Sequence, residues 1–159
     1  MLTLLNLLPR WLRSRLFVVY SLTRRAMTLG VRCIIQNDEG YVLLVRHTYV
    51  SGWHLPGGGV ERGETVQDAA IKELYEEANL TLNEPPQLIH FYRNPRSSKF
   101  DHVALFDCKS WSGDLRTEPD FEIAEICFFP LDALPEGTTE PTRTRLKEVF
   151  ENQPMSDVW

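Results

Sequence analysis

The first 37 residues contain six arginines, at 10, 13, 15, 24, 25 and 32, and not one aspartate or glutamate. The chain as a whole carries −5, so −11 falls on the remainder. A surface of that sign repels a phosphate backbone, which argues against nucleic acid as a partner. Cysteine is also scarce: Cys33, Cys108 and Cys127 are odd in number, widely spaced and without a CxxC pair. Neither a disulfide framework nor a zinc site follows from them, and they read as buried small hydrophobes in a reducing cytoplasm. Long apolar runs are missing. No run is longer than Leu16 to Tyr20, which falls far short of the ~20 residues that span a bilayer, and the start lacks the pattern of a signal peptide. What remains, 159 residues that are 43% apolar and 25% charged, suits one soluble domain with a sizeable core.

The basic start is also apolar. Leucines 2, 4, 5, 7 and 8 precede Pro9, and Trp11, Leu12, Leu16, Phe17, Val19 and Tyr20 follow it, spaced by arginines. That spacing predicts a helix over about 10 to 25, making residues 1–26 an N-terminal helical extension to a domain of 27–159. Such a helix packs on the domain or on the partner subunit of a homodimer, or it lies on a membrane surface, where a basic and aromatic mixture is favoured.

The stretch from Gly57 to Leu80 organises the rest. Three successive glycines let backbone approach a ligand closely. A helix then starts after Thr65, a good N-cap with Asp68 in its first turn, and ends at Asn79. Glu73, Glu76 and Glu77 stand at i, i+3 and i+4, so they share one face, with only Lys72 placed to offset their mutual repulsion. Ile71, Leu74 and Ala78 form the packing stripe, so packing and chemistry are expected on opposite faces. Acid-rich faces are often merely solvated. Here Glu64 adds a fourth carboxylate at the loop-to-helix junction, and clustered hard oxygens suit Mg²⁺ or Mn²⁺.

Around that helix, 27–35 and 41–45 read as a hairpin about Asn37-Asp38-Glu39-Gly40. Residues 87–92, 102–108 and 123–129 read as strands, Leu131 to Leu134 as one helical turn, and Pro141 to Glu151 as a helix with proline in its first turn. The order implies a mixed sheet between helices, an α/β fold.

The glycine-to-leucine stretch resembles the Nudix box, G-x5-E-x7-R-E-U-x-E-E-x-G-U with U aliphatic. Gly58, Glu64, Glu73, Leu74, Glu76, Glu77 and Leu80 fall at its spacings, and Trp53-His54-Leu55-Pro56-Gly57-Gly58 is similar to the usual approach. Lys72 stands where the family has arginine and Asn79 where it has glycine. Asparagine is the next-best residue for a left-handed cap. Lysine keeps the charge and loses the planar fork, so Lys72→Arg is expected to raise kcat if that shape limits turnover.

The resemblance implies an α/β/α sandwich and an enzyme that uses Mg²⁺, with Mn²⁺ second, to hydrolyse a pyrophosphate linkage. It implies metal ligands at Glu73, Glu76, Glu77 and the Gly57 carbonyl, with Glu64 supporting them and a further acid from a later strand. Glu122 is the candidate for that acid and Glu125 the second. The resemblance assigns no single base, because coupled carboxylates titrate as a group. The favoured substrate is a nucleoside diphosphate linked to another group, such as ADP-ribose or a nucleotide sugar: Pro95 lies fifteen residues past Leu80, a placement similar to ADP-ribose pyrophosphatases, while Ser97 replaces the tyrosine of dinucleoside polyphosphate hydrolases. Arg46 is the candidate phosphate ligand and Trp53 the candidate stacking ring, with Phe91 and Tyr92 behind it. Nucleoside triphosphate or dinucleoside polyphosphate hydrolysis and a non-catalytic nucleotide sensor remain open. A diphosphate isomerase would call for further Cys and Glu positions that the chain does not identify.

Overall fold

The computed structural model describes residues 9 to 24 and 26 to 159. In chain order the elements are α1 (Arg10–Arg24), β1 (Thr28–Ile34), β2 (Val42–His47), α2 (Val66–Ala78), β3 (Thr81–Leu82), β4 (Gln87–Arg93), β5 (Asp101–Asp107), β6 (Trp111–Ser112), β7 (Ile123–Phe129) and α3 (Glu140–Phe150). The leucines at 2, 4, 5, 7 and 8 and Arg25 lie outside the described residues. The predicted N-terminal helix is present as α1, but none of its described side chains belongs to either core cluster, and Trp11, Phe17, Val18, Val19 and Tyr20 are exposed. Among the described residues no helix is long and apolar enough to cross a membrane.

The expected hairpin holds only at its turn. Gln36 bridges Val42, and Leu43 N–H donates to the Ile35 carbonyl at 2.9 Å. The two strands then part. β1 pairs in parallel with β5, from Thr28 opposite Asp101 to Ile34 opposite Asp107, and β5 pairs antiparallel with β4. β2 pairs instead with β7, antiparallel, and β3 with β6. The result is the mixed sheet expected, in the order β1-β5-β4, with two two-stranded ribbons beside it.

Strand alternation builds two cores. Val31, Cys33, Leu43, Ala104 and Phe106 face α2, where Ala69, Ala70, Leu74 and Ala78 meet them. Ile34, Val42, Leu44, Leu105 and Tyr92 face the other way, towards Leu146, Val149 and Phe150 of α3. Every sheet residue in both sets is fully buried or nearly so, so helices cover both faces and the α/β/α sandwich stands.

Three expectations are corrected. Residues 131–134 form a turn closed by Ala133 N–H on the Pro130 carbonyl, not a helix. β3 and β6 are new, and at two residues each they are too short to leave a period in the sequence. Cys33 and Cys108 are buried as expected, but Cys127 is exposed, because strand alternation points it away from the core that its neighbours Ile126 and Phe128 pack against.

Candidate active site

The segment before α2 is threaded between β1 and β2. His54 exchanges both backbone hydrogen bonds with Val45, each 2.9 Å. The Pro56 and Gly58 carbonyls then accept from Cys33 and Val31 of β1, also at 2.9 Å, and Val60 N–H donates to Leu29. Between these anchors Gly57 takes φ +134, and a Cβ there would sit 2.2 Å from the Val31 carbonyl oxygen. A Cβ on Gly58 would meet the Glu73 carboxylate at 2.5 Å. The glycine run is therefore shaped on one side by a strand and on the other by a carboxylate.

α2 begins as predicted. Thr65 is the N-cap, and its hydroxyl accepts from Asp68 N–H at 3.1 Å. Asn79 closes the helix in the left-handed region at φ 59, and its side chain donates to the Asp114 carbonyl at 3.0 Å. The asparagine thus supplies the cap conformation and a tether that glycine lacks.

The division into opposite faces fails. Ile71 is exposed, and Glu77 is 5% exposed, lying on the packed side with Leu74 and Ala78. Positions 74 and 77 are i, i+3 neighbours, so a stripe wide enough to bury Leu74 reaches Glu77. The chemistry borders the core. Glu73 is half-buried and Glu76 exposed.

Burial decides the electrostatics. Desolvation pushes the Glu77 carboxyl from an ordinary 4.5 to about 8; Arg32 and the Gly57 N–H, which donates at 2.8 Å, work against the rise, and Glu73 and Glu122 add to it. Glu73 is raised chiefly by burial as well. His47 Nε2 approaches Glu77 at 3.5 Å, but burial, then Arg32 and His54, lower its pKa to about 4, so this is a neutral imidazole and not an ion pair. Glu64 is held below the usual carboxylate range, chiefly by the Glu61 N–H at 2.9 Å and with help from Lys72.

One consequence can be measured without substrate. Below about pH 4.5 the folded and unfolded chains both hold the Glu77 proton; between there and about 8 the unfolded chain releases it while the folded chain keeps it, so folding loses stability as pH rises. In chelator, the wild-type Tm should fall from about pH 5 to 8 by on the order of 5 °C more than that of Glu77→Gln. Parallel pH dependences would refute the burial account.

Lys72 sits where it can replace an arginine. Its Nζ lies 3.2 and 3.3 Å from the two Glu64 oxygens and 3.6 Å from Glu61. One ammonium spans the whole carboxylate, so the missing fork costs little contact here. Lys72→Arg should therefore leave kcat within about twofold, while Lys72→Met should lower it about tenfold by freeing Glu64. A clear rise for Lys72→Arg in steady-state kinetics would show that side-chain shape does limit turnover.

The other candidate residues divide. Glu122 accepts from the Tyr49 hydroxyl at 3.3 Å, and its charge raises both Glu73 and Glu77, so it belongs to the acidic cluster. Glu125 is drawn away to Arg46, at 2.6 Å across the β2-β7 ribbon. Arg46 also lies over the Trp53 ring, 5.7 Å from its centroid, and Trp53 is 6% exposed with its edge against Phe129. Pro95 lies in a turn whose neighbours Asn94, Arg96 and Ser97 line a cleft of about 540 Å³. Arg32, His54, Thr139 and Trp159 line the same cleft.

Arg32 is the residue that sequence reasoning missed. It reaches the cleft and acts electrostatically on Glu73, Glu77 and His47, and its Nη1 is bonded to the adjacent Val31 carbonyl at 3.4 Å. Its only sequence signal was a lone arginine within a strand.

The NUDIX domain profile matches residues 26–152. The chain belongs to the Nudix family. An ADP-ribose pyrophosphatase of Methanocaldococcus jannaschii is 34% identical over 111 residues, covering 67% of this chain and 64% of the relative. A putative 8-oxo-dGTP diphosphatase of Bacillus subtilis is 35% identical over 78 residues, covering 48% of this chain and 50% of the relative. The chain thus spans less than two thirds of the length of either. Among solved structures, a MutT Nudix hydrolase from Burkholderia pseudomallei superposes with a TM-score of 0.67 at 26% identity, covering 77% of this chain and 97% of that one.

Nudix hydrolases generally use divalent cations, and the residues of this Nudix domain fit one. The donors are hard oxygens, like charges crowd a buried carboxyl, and Gly58 leaves the space that a Cβ would take from Glu73. Among the described residues no three acid, histidine or cysteine side chains form a complete ligand set by themselves. That is the usual case for Mg²⁺, which keeps water and substrate phosphate in its shell.

Proposed function

We propose that this Nudix domain is a Mg²⁺-dependent pyrophosphohydrolase that cleaves a nucleoside diphosphate joined to a second group, of the ADP-ribose or nucleotide-sugar type. The observation that carries the reading is the Arg32 guanidinium, half-buried between the acidic cluster and the cleft. A diphosphate lying along that junction meets Arg32 midway, carboxylates on one side and the cleft on the other.

Glu73, Glu76, Glu77 and the Gly57 carbonyl would hold the cation, which would supply charge screening and activation of water. The chain's own residues do the rest. Glu77 is fixed by the Gly57 N–H, so its carboxylate is aimed before substrate arrives. Glu64, locked by Lys72 and the Glu61 N–H, braces the loop. Glu122, oriented by Tyr49, adds an acid from outside the helix. Arg32 offsets charge on the phosphates, and the cleft takes the nucleoside. The similarity to an ADP-ribose pyrophosphatase and the position of the 94–97 loop on the cleft wall support the linked-diphosphate class.

Nucleoside triphosphate hydrolysis is the second reading, favoured by the similarity to the Bacillus subtilis protein. A panel of ADP-ribose, nucleotide sugars, dinucleoside polyphosphates and nucleoside triphosphates, with Mg²⁺ and products identified by mass, separates the two. ADP-ribose giving AMP and ribose 5-phosphate is the expected result. Cleavage of triphosphates alone establishes the second reading, and calorimetric binding without any cleavage makes the domain a nucleotide sensor.

A further inference from the structure

Trp159 is shared by the 540 Å³ cleft and an adjoining cavity of about 250 Å³, and it is the single Phe, Tyr or Trp among the described residues lining either. Its surroundings hold it there. Trp159 N–H donates to the Arg93 carbonyl and Arg93 N–H to the Asp157 carbonyl, both 2.9 Å, so residues 157–159 run beside the end of β4. One step back, Val158 offers its carbonyl to Arg145 Nη1 at 2.9 Å, and Ser156 N–H donates to Glu148 at 3.0 Å. Arg145 and Glu148 are themselves buried and paired at 2.8 Å. The indole packs edge-on against Tyr92, with centroids 5.3 Å apart, and the Arg145 guanidinium lies 5.5 Å from its ring.

This is more anchoring than a surface ring needs, and it leaves the indole half-buried with cleft space beside it. The remaining lining combines aliphatic groups at Val50, Leu55 and Pro141 with hydrogen-bonding or charged ones, among them Arg32, Asn94 and Arg96. The polar ones orient sugar and phosphate. A π-face is what a base requires, and it is tolerant of base identity.

We propose that Trp159 is the base-stacking, specificity-determining residue of the cleft, fixed in place by Arg145, Tyr92 and Arg93. It makes the domain prefer diphosphates that carry a nucleobase over those that carry only a sugar. The inference rests on the substrate cleft assigned above.

Two measurements on the full chain test it. With ADP-ribose, Trp159→Ala should raise KM about tenfold and leave kcat within about twofold, while the KM for 5-phosphoribosyl diphosphate, which has no base, stays unchanged. Trp159→Phe should restore most of the affinity. An equal rise for both substrates, or no rise for either, overturns the proposal. Independently of hydrolysis, AMP should quench the intrinsic fluorescence of the wild type and not that of Trp159→Phe; quenching that persists in the variant overturns it as well. If no substrate in the panel is turned over, the AMP titration alone decides, so failure of the hydrolase reading and failure of the stacking role are told apart.

Discussion

Glu77→Gln should lower kcat on the order of 100- to 10,000-fold with the fold intact. Glutamine has the same shape, and its carbonyl oxygen still accepts the Gly57 N–H at the 2.8 Å now made by the carboxylate. What is lost is the capacity to give up a proton and hold a cation as an anion. Glu77 is the most buried of the three helix glutamates, so water screens it least. Glu76→Gln, at an exposed position, should also fall steeply, because its role in the proposed site is ligation and not packing. Steady-state turnover beside thermal melts is the check. Unchanged kcat in both variants would end the hydrolase assignment.

The second large effect concerns three adjacent glycines with three different outcomes. Gly57→Ala should cost about 3 kcal/mol or more of stability and lower Tm by roughly 10 °C or more, because the new methyl lands on the Val31 carbonyl while φ +134 already strains any side chain. Gly58→Ala should leave most of the stability and lose activity instead: its methyl meets the mobile end of Glu73, which moves aside and leaves its post. Gly59→Ala should do neither, within about 0.5 kcal/mol, since nothing lies within 4 Å of its added carbon. Melting curves and kcat for the three variants check the set together. A Gly57→Ala protein as stable as Gly59→Ala would show that the loop does not press on β1.

The box helix was legible because its signals are local. A cap, a left-handed stop and carboxylates at i, i+3 and i+4 are all written within one short stretch, and the structure places Thr65 and Asn79 at the ends the sequence marks. The long strands were legible for the same reason, through composition and alternation. What needed the fold was everything set by partners distant in sequence. Periodicity puts Val31 and Cys33 in a strand but does not say that β1 pairs with β5, about 73 residues on, and not along its length with β2. Glu77 reads as a surface ligand until the loop across Gly57 and the packing of Leu74 bury it. Arg32 looked like one more charge in a basic start, and its meaning appears only once β1 lies beside α2. Trp159 had no local signal at all; its position depends on Arg145 and on the end of β4.

The segment that approaches the box also closes a sheet edge. β1 is bonded to β5 on one side and to Pro56, Gly58 and Val60 on the other. A strand left open along one side is a template on which a second chain can build. Here the loop that carries the glycine cradle occupies that template. The hydrogen bonds that bring Gly58 against Glu73 also keep the mixed sheet from growing past β1, so the geometry that serves the site serves solubility as well.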